Sequence, residues 1–184
     1  MANTLAPFGF REYQGGAGGA PTFAQSARRI ASTAGAIYYG DPVMPVTSTA
    51  NGYIVQATAG STVMAGIFVG CKYLSVSQKR TVWSNYWGAA DVASGNNVEV
   101  YYVNDPNAKF VAQVGGSTST GLAAADIGAN VQFNYGTPNT ASGVSGAYID
   151  ITVTPTTTNT LPFRVVSLVT DPPGSNGKIG RAHV

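Results

Sequence analysis

At 184 residues the chain suits a single domain with room for a buried core. Hydrophobic residues make up 44% but charged residues only 10%, where a soluble domain usually carries roughly 25%, and the formal net charge is +2. Basic pairs are limited to Arg28-Arg29 and Lys79-Arg80, which excludes an electrostatic stripe for nucleic acid, and no apolar run approaches the roughly 20 residues of a membrane-spanning helix.

Residues 1–36 are rich in Gly and Ala, above all in the GGAGGAP tract from Gly15 to Pro21, and hold no period for long. The expectation is an extended N-terminal arm that orders on a partner, with Phe8 and Phe10 as its anchor, followed by a β-barrel-like domain over 37–184. The opening residues show no basic segment followed by an apolar run, so no secretion signal is expected.

From Tyr38 the sequence becomes a series of short β-prone runs between turn residues, the pattern of a compact antiparallel barrel or sandwich. Gly40-Asp41-Pro42 turns into Val43–Val46, and Asn51-Gly52 leads into Tyr53–Ala57, which predicts a hairpin. Val63–Leu74 is apolar throughout, as a central strand covered on both faces would be, with Gly66 and Gly70 permitting a bend or close backbone approach. The aromatic run Arg80–Trp87 is read as β-prone, and Val98–Val103 and Lys109–Val114 flank an Asn104–Asn107 turn as a second hairpin. One short helix is expected over Gly121–Ile127, capped by Ser119 or Thr120 and stopped by Gly128. Strands resume at Asn130–Tyr135, Ala147–Val153 and Pro162–Val169.

Chemistry has little to work with. Eight carboxylates, one His and one Cys give no zinc-ligand spacing, and His183 is penultimate, so neither a metal site nor a catalytic triad is expected. Asp41, Asp105 and Asp171 each precede Pro, which is ordinary turn chemistry and argues against a paired-carboxylate hydrolase. Cys71 sits in an apolar run and reads as a small buried hydrophobe. The Gly15–Gly19 glycines follow no strand and have no P-loop lysine, so no phosphate or other cofactor is expected. Trp83, Tyr86 and Trp87 suit either a sugar-binding platform or packing at a core or subunit interface, and the second account is preferred. Ten Tyr on a chain so poor in charge favour assembly.

Taken in order, Met1-Ala-Asn with Ala6-Pro-Phe-Gly-Phe-Arg11, Gly40-Asp-Pro-Val43, Gly66–Tyr73, Tyr86-Trp87, the Val98–Gln113 segment, Ala125-Asp-Ile-Gly128 and Arg164–Val169 form a pattern across most of the chain. That pattern resembles the head decoration, or capsid cement, proteins of tailed bacteriophages. The Gly15–Gly19 tract and the Asp171-Pro-Pro-Gly stretch depart from it. The resemblance implies a non-enzymatic β-barrel-type subunit, commonly a homotrimer, made in the host cytoplasm and seated on the outside of the virion. There it would bridge neighbouring major capsid proteins, with no catalytic residues, no nucleic acid and no membrane involved. The candidate partner contacts are Phe8, Phe10, Arg11, Tyr13, Trp83, Tyr86 and Trp87. A carbohydrate-binding or adhesin-like virion surface protein is the alternative.

Overall fold

Each β-prone run from Val43 onward becomes a strand in the computed structural model, which describes residues 5–16, 20–21, 24–30, 34–46, 52–116, 121–169 and 179–183. In chain order the strands are β1 (Arg11–Gln14), β2 (Gln25–Ile30), β3 (Pro42–Pro45), β4 (Ile54–Gln56), β5 (Gly66–Leu74), β6 (Thr81–Ser84), β7 (Val98–Val103), β8 (Lys109–Gly115), β9 (Asn130–Tyr135), β10 (Ala147–Asp150), β11 (Phe163–Leu168) and β12 (Ile179–His183). Helix among the described residues is confined to one 3-10 turn, Ala124–Asp126, inside the expected span. The Asp126 carboxylate closes it by accepting from the Ala123 N–H at 2.7 Å. The Ser119 and Thr120 caps lie outside the described residues.

Two six-stranded sheets pack together in a sandwich-like arrangement, not as one closed barrel. The first runs β1-β8-β10-β9-β11-β12, with β12 also returning to β8, and the second runs β2-β7-β5-β3-β4, with β6 on β5. Pairing is antiparallel except between β8 and β10. The β3–β4 hairpin forms as expected, with Val43 opposite Gln56. β5 is central, pairing with β3, β6 and β7. Its Gly66, at φ +152°, allows the close approach: a Cβ there would collide with the Val103 carbonyl.

The hairpin expected over 98–114 does not form. The turn itself is present, with the Asn107 N–H donating to Asp105 Oδ1 at 2.8 Å. It carries the chain from the second sheet to the first, because both edges of β7 are already taken by β2 and β5. Val103 and Ala108, either side of the turn, are both buried in the core between the sheets. A turn motif specifies a reversal of direction, whereas the partner of each strand depends on which edges are open.

The described part of residues 1–36 also differs from the expected arm. β1 pairs with β8, and β2 pairs with the whole of β7 from Gln25 opposite Val103 to Ile30 opposite Val98. Phe10 is 1% exposed and stacks on Phe163 at 4.5 Å. β2 reads QSARRI with Ile30 as its one buried residue, so side-chain period gives no strand signal and backbone pairing supplies most of what holds it. Positions 17–19 of the glycine tract lie outside the described residues.

The buried residues form two clusters. Phe10, Phe110, Phe133 and Phe163 centre one between the sheets, joined there by Ile67 and Val103 of the second sheet. Ile37, Phe68, Trp87, Val98 and Val100 centre the other, within the second sheet.

Candidate functional site

The seven candidate contacts separate into four places. Phe10 and Trp87 are core residues, which corrects their assignment as partner contacts: Trp87 has no exposed surface, donates through Nε1 to the Ala34 carbonyl at 3.3 Å and meets Tyr73 edge-on at 5.3 Å. Tyr86 is half-buried and stacked on Tyr38 with ring centroids 5.8 Å apart. An exposed platform of Trp83, Tyr86 and Trp87 is therefore not formed, since only Trp83 is exposed.

Phe8, Arg11 and Tyr13 gather at β1, on one edge of the first sheet. Arg11 and Tyr13 alternate outward from that strand. The Arg11 guanidinium sits 4.5 Å from the Phe8 ring centroid and its Nε donates to the Phe8 carbonyl at 3.2 Å, a cation–π contact that holds both side chains in place. Tyr13 is 44% exposed. The edge is tied down at several points, with the Ala6 N–H on Gln113 Oε1 (3.1 Å), Lys109 Nζ on Gln14 Oε1 (2.8 Å) and the Gly16 N–H on Asp105 Oδ2 (3.2 Å).

Beyond its contact with the first sheet, the face of the second sheet that carries Ile67 and Val103 continues into the other group. Trp83 on β6 lies opposite Lys72 on β5, Lys72 opposite Glu99 on β7, and Glu99 opposite Arg29 on β2. Lys72 Nζ is 2.6 Å from Glu99 Oε2. Glu99 beside it raises the Lys72 pKa, and Lys72 in turn holds the Glu99 carboxyl below the ordinary glutamate value. Trp83 is 68% exposed and stacks on Tyr101 at 5.4 Å, with Lys72 Nζ 5.2 Å from the indole centroid. Trp83 on β6 and Tyr101 on β7 reach each other across β5. At one end of this face a groove of about 370 Å³ is lined by Arg29, Lys72, Thr81, Asn96, Asn97 and Glu99 among others. Lys72, Glu99, Arg29 and Tyr101 carried no motif in the sequence.

Where the sheets meet, Asp41 proves to be more than a turn residue. It is 1% exposed and accepts from Ser145 Oγ of the first sheet's loop, from the Tyr38 N–H (2.8 Å) and from Gln56 Nε2 on β4 (2.7 Å). Tyr135 of β9 adds a donor across the same seam, to the Ala57 carbonyl at 2.8 Å. Gly9 and Gly40, both at positive φ, allow the two backbones to touch there, and the Phe10 N–H donates to the Gly40 carbonyl at 3.0 Å. A cavity of about 340 Å³ lies alongside, lined by Asp41, Gln56, Tyr135 and Tyr38 among others.

Truncation of Asp41 would leave three donors without an acceptor, so Asp41→Ala should cost roughly 3 kcal/mol in denaturant unfolding. Asp105→Ala, at an exposed turn, should cost about 1 kcal/mol. Asp171 lies outside the described residues. Burial raises the Asp41 pKa against the lowering effect of its three donors. The folded chain therefore takes up this proton at higher pH than the unfolded chain, and the associated stability is present at low pH and lost as pH rises through the raised value. Relative to Asp41→Asn, the wild-type protein should gain stability as pH falls from 7 towards 4, with the difference levelling off below the ordinary aspartate value of 3.8. Urea unfolding of both proteins at several pH values measures this.

Cys71 is buried as expected, with Sγ 3.3 Å from the Tyr86 carbonyl oxygen, and burial pushes its pKa from 9.0 to about 12. The native thiol should alkylate with iodoacetamide about a thousandfold more slowly than the urea-unfolded chain at pH 8, since the thiolate is the reactive form. Among the described residues no three His, Cys, Asp or Glu side chains are grouped to hold a metal. Comparison with protein-family models, curated proteins and solved structures finds no match for this chain.

Proposed function

We propose that this chain is a structural virion protein that binds the exterior of a phage head and stabilises it by bridging neighbouring major capsid proteins. The single observation that carries this reading is the β1 edge, where Arg11, Phe8 and the 44%-exposed Tyr13 stand together at a sheet margin. Tyr and Arg are the side chains that most often dominate protein interfaces, and a fixed guanidinium loses little freedom on docking. The weak surface charge suits close protein contact on a shell that repeats the same seam many times. Assembly as a closed ring, a homotrimer in the first instance, lets several such edges grip at once, so the combined hold exceeds that of one contact.

Co-sedimentation with empty heads tests the reading. Saturating protein should raise the temperature at which filled heads release DNA, because a ligand that binds the intact shell alone stabilises it by mass action. The double variant Arg11→Ala/Tyr13→Ala should remain folded and bind heads at least about tenfold more weakly. Identical rupture temperatures with and without protein, or no binding above that of serum albumin, would overturn the proposal.

A further inference from the structure

We infer that the exposed part of the second sheet around Trp83 is a binding site for an acidic oligosaccharide, with one sugar ring stacked on Trp83 and the carboxylate of a uronic-acid unit further along the chain held by Arg29. This site is independent of head binding, which was placed on β1 of the other sheet.

Three features of the face support the assignment. Tyr101 covers one face of the indole at an interplanar angle of 17°, while the ring keeps 68% of its surface exposed. An indole backed by Tyr101 and largely exposed offers apolar surface to the C–H face of a pyranose, and the Tyr101 and Lys72 contacts fix its orientation before a ligand arrives. The charged groups follow it in register across four strands as Trp83, Lys72, Glu99 and Arg29, a span of about 14 Å from β6 to β2, which is about the length of a trisaccharide. Beside them the groove of about 370 Å³ adds Thr81, Asn96 and Asn97, whose hydroxyl and amide groups both donate and accept, as sugar hydroxyls require.

Charge selects the class of sugar. Two cations face one carboxylate, and the Lys72–Glu99 pair at 2.6 Å neutralises one of them, leaving the Arg29 guanidinium as the excess charge. A guanidinium presents a planar fork of donors that matches a carboxylate, so a uronic acid complements the face and a neutral sugar leaves that fork to water. A protein partner would also meet an exposed Trp, but a ladder alternating in sign with an amide-lined groove beside it matches hydroxyl-rich ligands better than an apolar protein surface.

The chain has two tryptophans, and Trp87 is buried, so a change in fluorescence on titration reports Trp83. Trigalacturonate and the neutral galactotriose would be titrated separately into the wild-type protein, with calorimetry alongside. Saturable binding of trigalacturonate is expected, at least about fivefold tighter than galactotriose and weaker at higher salt. Trp83→Ala should lose at least about tenfold of that affinity, and Arg29→Gln should remove the preference for the acidic sugar while retaining the neutral one. Both positions are exposed, so circular dichroism of the variants should match the wild type. No saturable binding of either sugar up to about 10 mM, or undiminished binding by Trp83→Ala, would overturn the site. Equal affinity for both sugars would overturn its acidic specificity. Head co-sedimentation of Trp83→Ala should be unchanged, which separates failure of this site from failure of the head-binding reading.

Discussion

Deletion of residues 1–36 is expected to abolish folding of the remaining chain, not to free a self-sufficient β core. The segment supplies β1 and β2, and with them the Phe10 ring stacked on Phe163 and the Ile30 side chain, neither of which is exposed by more than 1%. Losing a buried Phe or Ile side chain costs roughly 2–5 kcal/mol each, and removing β2 strips one whole edge of β7 of its backbone partners. Together these approach the roughly 5–15 kcal/mol that holds an ordinary domain folded. The truncated chain should lack a cooperative thermal transition and bind a hydrophobic dye. Phe10→Ala in the full chain is the graded version, expected to lower stability by roughly 3–5 kcal/mol while leaving the transition cooperative. A truncated protein that melts as sharply as the full chain would show that β1 and β2 are dispensable.

The two tryptophans should respond to truncation in opposite ways. Trp87→Ala is expected to cost roughly 3–5 kcal/mol, because it empties the largest fully buried side chain and leaves the Ala34 carbonyl without its donor. Trp87→Phe, which keeps an apolar ring but loses that hydrogen bond, should fall between the two. Trp83→Ala should cost under about 1 kcal/mol, the loss of a stack on Tyr101 and a cation–π contact at an exposed site. Urea midpoints of the three variants measure the contrast. Emission of Trp83→Ala should move to shorter wavelength, since the remaining indole is the buried one.

Strand content was legible because its signals are local. From Val43 to Leu168 the runs of β-branched and aromatic residues between Gly, Pro and Asn turns coincide with β3 to β11, and Asn130–Tyr135 matches β9 at both ends. β1 and β2 were illegible for the opposite reason: REYQ and QSARRI bury few side chains and are held by main-chain bonds, which any sequence supplies. The candidate sites divide similarly. Trp83 stood out as an aromatic, but its register with Lys72, Glu99 and Arg29 joins positions from four strands.

Composition and side-chain period specify a β-rich chain with one helical turn, a buried thiol and a turn at Asp105-Pro106, because both act within a few residues. What each of those pieces meets depends on long-range packing. It sent the Asn104–Asn107 turn across two sheets, buried Trp87 while exposing Trp83 four residues earlier, and gave Asp41 partners at positions 38, 56 and 145. Alternation along a strand tells inside from outside only once the neighbouring edges are assigned, and that assignment is made by long-range backbone pairing, to which a local stretch of sequence is nearly blind.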